Sequence, residues 1–199
     1  MWNRKHKPFL IVVSSPSGAG KTTICREVVR RDKRILYSVS VTTRPPRRSE
    51  QPGRSYIFVT DEEFQQMVHN NQLLEYAQVY GHFYGTPKEP IERAFAKGRD
   101  VIADLDIQGM RSCRNFLPDM VGIFIAPPSL QELKHRLAKR GTESREELRQ
   151  RQEALTSELA SIIEFDYYII NDKLSKAVRA VLGIIHAERL RTCRGIKIY

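Results

Sequence analysis

Hydrophobic positions along the chain come in short runs of two textures, and their alternation predicts the architecture. Residues 9–13 (FLIVV) form an unbroken, β-branched run of the kind needed by a strand buried on both faces. A turn of small residues follows, and TTICREVVRR then sets Ile24, Val28 and Val29 on one helical face. From about Ser38 the texture changes. SVSVTTR alternates as a strand does, PPRRSEQPG is a basic loop punctuated by proline and glycine, and YIFV is another short strand. Asp61 ahead of EEFQQMV reads as a helix N-cap. LLEYAQVYGHFYG reads as two strands or a hairpin turning near Gly81, so residues 38–86 form a mostly β insertion rich in Tyr and Arg.

The helix–strand rhythm then returns. Residues 90–97 predict a helix stopped by Gly98, 101–105 a strand, 108–116 a helix and 121–126 a strand. Ser129 with Glu132 makes a capping box for a helix ending near Arg140. A long charged helix is expected from about 145 to 164, a last strand at 167–170 and a last helix at 173–191. Strands alternating with helices mean an α/β fold with a parallel sheet covered on both faces. Phe58, Phe64, Tyr76, Phe83, Phe124, Phe165 and Tyr168 fall in the same periodicities and are expected to pack.

Composition narrows the partners. The 199 residues suit one domain, and 33 Lys and Arg against 23 Asp and Glu leave a formal charge of +10. That excess asks for an anionic partner without choosing among nucleic acid, membrane and small phosphates. Cys25, Cys113 and Cys193 are too few and too far apart for a disulfide framework or a zinc cluster, so reduced thiols are expected. The apolar run at residues 9–13 is shorter than the roughly 7–15 residues of a signal core, and no run approaches the ~20 of a membrane span. The expectation is a soluble, cytoplasmic protein.

Two stretches carry phosphate chemistry on their own. SSPSGAGKTT, residues 14–23, approaches the phosphate-loop pattern G-x-x-x-x-G-K-[ST], with Ser15 in the place of the first glycine. The loop of Ser15, Pro16, Ser17, Gly18, Ala19 and Gly20 would turn its backbone N–H groups around phosphate oxygens, helped by the N-terminal end of the next helix. (Pro16 brings no N–H of its own.) Lys21 would reach the β/γ-phosphates, Thr22 would place its hydroxyl directly on Mg²⁺, and Thr23 would add an α-phosphate contact. Serine can stand at position 15 if its φ is negative there. The second stretch, VIADLD, has the form of a strand ending in metal-assisting carboxylates. Asp104 and Asp106, two apart, are expected on one face of that strand, opposite a cation or the N–H groups of a ligand. Either could support Mg²⁺ through water, and spacing alone does not divide the two roles. A third stretch, TTRPPRR at 42–48, offers arginine forks that match phosphate oxygens.

Taken in order, the blocks SPSGAGKTT, SVSVTTRPPR, GRSYIFV, LLEYAQVYGHFYGT, DLDIQG, FIAPPS, LAKRGTES and IINDK resemble the guanylate kinases. The resemblance implies a P-loop NTPase three-layer fold: a central parallel five-stranded sheet with helices on both faces, a small mixed β insertion that binds GMP, and a helical lid. It divides residues 8–188 into a core (8–37, 87–136 and 151–188), the insertion 38–86 and a lid 137–150, with a basic tail at 189–199. It implies ATP-dependent phosphorylation of GMP, and of dGMP, with Mg²⁺. By resemblance Arg44, Arg47, Tyr56 and Tyr84 hold the GMP phosphate. Ser40, Glu75 and Thr86 surround the base, with Asp104 and Asp106 nearby. Arg136, Arg140 and Arg151 reach the transferring phosphoryl, and Asn171 lies near the adenine. A carboxylate at Glu75 suits guanine, whose N1–H and 2-amino group sit side by side, whereas adenine offers no donor at either place. Two other readings remain at this stage. One is a catalytically inactive, guanylate kinase-like module that binds phosphopeptides; the other is nucleic-acid binding driven by charge.

Overall fold

The computed structural model describes residues 6–16, 18–47, 50–79, 81–129, 131–133 and 158–195. Ser17, Arg136, Arg140, Arg151, the lid and most of the long charged helix lie outside the described residues. So does the end of the tail, 196–199.

Five strands form the central sheet: β1 (Leu10–Ser14), β2 (Ile35–Tyr37), β7 (Asp100–Asp104), β8 (Val121–Ala126) and β9 (Tyr167–Ile170). Their order is β2-β7-β1-β8-β9, and every pairing is parallel. Alternate residues of β1 explain why two helical layers are needed. Ile11 and Val13 point to one face, where they meet Ile24 and Val28 of α1 (Lys21–Arg31) and Val178 and Val181 of α5 (Leu174–Arg189). Leu10 and Val12 point to the other, toward Ile91 of α3 (Lys88–Ala96) and Met110 of α4 (Ile107–Phe116). The unbroken apolar run is thus a strand with no solvent face.

The insertion carries a second sheet, β3 (Val41–Thr42), β4 (Ile57–Phe58), β5 (Leu73–Val79) and β6 (His82–Pro87), in the order β4-β3-β6-β5. One pairing is parallel and two are antiparallel, so the sheet is mixed. Its own core joins Val41, Phe64 and Leu73 under α2 (Asp61–His69). The β5–β6 hairpin turns at Gly81, whose φ of 81° needs a residue without Cβ.

Several expectations change. The fifth central strand is Ile35–Tyr37, a three-residue segment with no distinct periodicity. The alternating SVSVTTR contributes only two paired residues, because 38–40 carry the chain from one sheet to the other. Thr60, not Asp61, caps α2: its hydroxyl accepts from Glu63 N at 3.1 Å while Glu63 Oε2 accepts from Thr60 N at 2.8 Å. Asp61 instead lies inside the first turn, where its charge favours the helix dipole. Thr60→Ala should therefore cost about 1 kcal/mol, a fall of roughly 2–4 °C in melting temperature by calorimetry. Among the aromatics, Phe64 and Phe124 are fully buried, but Tyr76 and Tyr168 are more than half exposed and do not belong to a core. The basic tail begins as part of the base of the core, since Arg189 and Arg194 are both buried.

Candidate active site

The C-terminal ends of β1 and β7 and the inner side of the insertion sheet enclose a cleft of about 770 Å³. At its floor the loop after β1 turns on Gly18 (φ 88°) and Gly20 (φ 95°). Gly20 sits at the N-cap of α1 without a side-chain cap, so the first N–H groups of that helix face the cleft as donors. Among the described residues Asn71 is the one non-glycine with positive φ, so Ser15 meets the condition on which it replaces the first glycine. Ser15, Pro16, Gly18, Gly20, Lys21, Thr22 and Thr23 all line the cleft, while Ala19 is buried behind it. Lys21 Nζ donates to Leu105 O at 3.1 Å, which holds the ammonium over the loop.

Asn171 is braced against the back of that loop. It is buried, and its amide donates to Ala19 O at 2.8 Å; a Cβ on Gly20 would come within 2.8 Å of the same amide nitrogen. Its described role is to support the turn, which an isolated Asn in IINDK gave no reason to expect.

Asp104 and Asp106 do not share a strand face. β7 ends at Asp104, and Asp106 is the N-cap of α4, its carboxylate accepting from Gly109 N at 2.7 Å. The break separates their surroundings. Asp104 accepts from Thr22 Oγ1 and from Tyr37 OH, each at 2.5 Å. Asp106 lies on the side of Glu75, and its charge is one of the influences on that group.

Glu75 is 6% exposed and Thr86 fully buried; Thr86 Oγ1 donates to Glu75 Oε1 at 2.5 Å. A bulge at Leu74 shifts the register so that Glu75 pairs with Thr86 across the hairpin. Gly109 allows the close approach of α4, because a Cβ there would lie 3.0 Å from Glu75 Oε2. Burial pushes the Glu75 carboxyl up to about 7; the bond from Thr86 opposes the shift, and Asp106 adds to it. Ser40 is buried at the cleft wall nearby.

Between these two ends sits a cationic cluster. Arg44 Nε donates to Tyr84 OH at 3.1 Å, and its guanidinium lies 5.5 Å from the centre of the Tyr56 ring. Tyr56 and Tyr84 meet edge to face at 5.9 Å. Glu50, the one acid in the basic loop, takes Arg44 Nη2 at 2.9 and 3.0 Å and the backbone N–H of Arg47 at 2.8 Å. It therefore fixes the plane of the arginine fork against the tyrosines. Burial, then the charge of Asp104, raise the Tyr37 and Tyr56 phenols above their ordinary range, so both remain donors.

Glu50 and Tyr37 are the residues that sequence reading passed over. Glu50 had a visible signal, a lone carboxylate among arginines. Tyr37 had none, because it ends the strand that carries no periodicity.

The arrangement brings a glycine-turned loop at a helix N-terminus, an arginine–tyrosine cluster and a buried carboxylate into one cleft. Comparison with known proteins agrees. The guanylate kinase family model matches residues 7–188. The guanylate kinase of Caldanaerobacter subterraneus subsp. tengcongensis is 43% identical over 195 residues, covering 98% of this chain and 95% of its own. That of Rhizobium etli is 47% identical over 187 residues, 94% of this chain and 85% of its own. The crystal structure of guanylate kinase from Anaplasma phagocytophilum matches with a TM-score of 0.81 at 32% identity, over 98% of this chain and 92% of that one. With the match running through the loop, the arginine–tyrosine cluster and Glu75 alike, the chain belongs to the guanylate kinase family.

Proposed function

We propose that this cleft transfers the γ-phosphoryl group of ATP to GMP by direct in-line displacement, with the residue roles as follows. The amides from Gly18 through Thr22 and the Lys21 ammonium hold the ATP phosphates. Arg44, Arg47, Tyr56 and Tyr84 hold the GMP phosphate, and Ser40, Glu75, Thr86 and Asp106 surround guanine. A GMP phosphate is already an adequate nucleophile at neutral pH, so no general base is required, and catalysis is positioning plus charge stabilisation. The arginines at 136, 140 and 151 are proposed to neutralise the phosphoryl in flight, on the family resemblance alone. Closing of the insertion over the core would keep water from taking the phosphoryl.

Mg²⁺ suits the donor set around Thr22: a hydroxyl and the Asp104 carboxylate are hard oxygen ligands, with no thiol or imidazole among them. Thr22 would bind it directly and Asp104 through water. When bound, it neutralises charge shared by the β- and γ-phosphates. The observation that carries the reading is the buried Glu75, bonded from behind by Thr86, lining the same cleft as the phosphate loop. The proposed partners are ATP and GMP, with no nucleic acid and no membrane; among the described residues no helix is long and apolar enough to cross one. The cytoplasm is proposed as the location with those substrates.

The test is ADP release with ATP and Mg²⁺ against GMP, dGMP, AMP, CMP and UMP. Turnover confined to the guanine nucleotides is expected. Equal rates with AMP and GMP, or no turnover at all, would leave the phosphopeptide module or charge-driven nucleic-acid binding as the better account.

A further inference from the structure

We infer that Tyr37 is a positioning residue for the metal side of the reaction: its phenol locks the Asp104 carboxylate in the orientation that presents the Thr22 hydroxyl to Mg²⁺. The inference rests on the proposed reading that Thr22 and Asp104 face that ion.

The two oxygens of Asp104 are held from different elements. Thr22 Oγ1, at the start of α1, donates to Oδ2 at 2.5 Å, and Tyr37 OH, at the end of β2, donates to Oδ1 at 2.5 Å. A carboxylate with one donor can rotate about its terminal torsion, which is broad and roughly two-fold. With donors on both oxygens, anchored on a helix and on a strand, its plane is fixed. The consequence falls on Thr22. A hydroxyl whose hydrogen points at Asp104 directs its lone pairs away from that carboxylate, into the cleft where a cation can take them. Groups that orient a ligand in this way commonly matter to metal affinity although they never touch the metal.

Packing alone does not account for a tyrosine at position 37. Its ring lies against the core layer beneath α1 and α5, and phenylalanine would fill that space equally. The hydroxyl adds one bond, to Asp104, and that bond joins the end of β2 to the end of the neighbouring β7, in the cleft that the phosphate loop also lines. Tyr37 is also the last residue before the chain leaves the central sheet for the insertion. The carboxylate nearest the phosphate loop is thereby tied to the root of the segment that holds the GMP-phosphate arginine.

Tyr37→Phe tests the bond by removing one atom. The Mg²⁺ concentration for half-maximal rate should rise about 10-fold, with KM for GMP within twofold of wild type. A second readout needs no turnover. ADP alone should raise the melting temperature equally in both proteins, while the further rise on adding Mg²⁺ should shrink in the variant. An unchanged ligand-free melting temperature and an unchanged GMP-induced shift establish that the variant is folded. In an Asp104→Asn background Tyr37→Phe should have no further effect on the Mg²⁺ increment. An unaltered Mg²⁺ midpoint and increment in Tyr37→Phe overturns the inference. If Asp104→Asn also keeps the full increment, the underlying metal reading fails; if only Tyr37→Phe keeps it, the positioning role alone fails.

Discussion

Glu75→Gln should lower kcat/KM for GMP by roughly 30- to 1,000-fold and, in the same protein, raise the stability of the ligand-free fold at pH 8. The two effects have one cause. Glu75 is almost wholly buried with a single described hydrogen-bond donor, Thr86, so its charge is poorly compensated in the free protein, and under the proposed function guanine would supply N1–H and the 2-amino group. Glutamine keeps one acceptor for Thr86 or for guanine and turns its NH₂ toward a donor, which removes charge-assisted bonds worth about 2–4 kcal/mol. The sign of the stability effect follows from the carboxyl value of about 7, which lies above the ~4.3 of an unfolded glutamate. A raised carboxyl costs the fold nothing below about 4.3; the cost grows as pH rises to about 7 and stays constant above it. Glutamine removes that cost but buries an amide of its own, which offsets part of the gain, so melting at pH 8 should rise by an amount equivalent to about 1–2 kcal/mol, while at pH 4 the rise should be gone. Wild-type kcat/KM for GMP should fall as pH drops through 7, because protonated Glu75 no longer accepts from both guanine donors. In Glu75→Gln that limb should vanish and leave only the one near pH 6, which belongs to the GMP phosphate itself. A variant that kept full preference for GMP over AMP would remove Glu75 from base recognition.

The parts of this enzyme that a linear reading recovers are those whose chemistry is local. The phosphate loop is contiguous, and its glycines announce positive φ, so Gly18 and Gly20 sit where the pattern puts them. The hairpin turning at Gly81 is legible for the same reason, and its strands bring Glu75 and Thr86 together from eleven residues apart. Errors arise where a period is mistaken for a partner. SVSVTTR has the alternation of a strand, yet only Val41 and Thr42 form strand pairs, while Ser38 N donates to Ile102 O of the central sheet and Ser40 O accepts from Ile57 N of the other. Asp104 and Asp106 have the spacing of one strand face, yet the strand stops between them and a cap begins. Glu50, Tyr37 and Asn171 owe their roles to residues 6, 67 and 152 positions away. No spacing rule reaches the longer two distances.

Arg189→Leu should destabilise the fold by about 3–5 kcal/mol, a fall of roughly 6–20 °C in melting temperature, while leaving kcat and KM for GMP at 20 °C within about twofold of wild type. Arg189 lies 6% exposed and bridges two carboxylates, donating from Nε to Asp100 Oδ2 at 2.7 Å and from Nη1 to Asp32 Oδ2 at 2.6 Å. Asp100 is completely buried, and its other oxygen takes Phe9 N at 3.3 Å and His6 Nε2 at 2.8 Å. The network therefore pins the end of α5 to the start of β7 and the end of α1, at the opposite end of the sheet from the cleft. Removing the arginine leaves Asp32 to Arg34 and Asp100 to Phe9 N and His6, and the negative charge it no longer balances, more than the lost pairing, sets the cost. Replacing all three together, as Asp32→Asn, Asp100→Asn and Arg189→Leu, should consequently recover part of what the single change loses. Acid separates charge from packing. Burial works against the Asp32 carboxylate, but the bonds from Arg34 and Arg189 outweigh it and hold the group well below the usual range. A depressed carboxyl contributes stability above the unfolded value near 4 and loses it as pH falls further. Wild type should thus lose stability more steeply than Arg189→Leu below pH 4, and the gap between them should narrow. A gap that stayed constant down to pH 2.5 would mean that Arg189 acts through its packed stem and not through its charge.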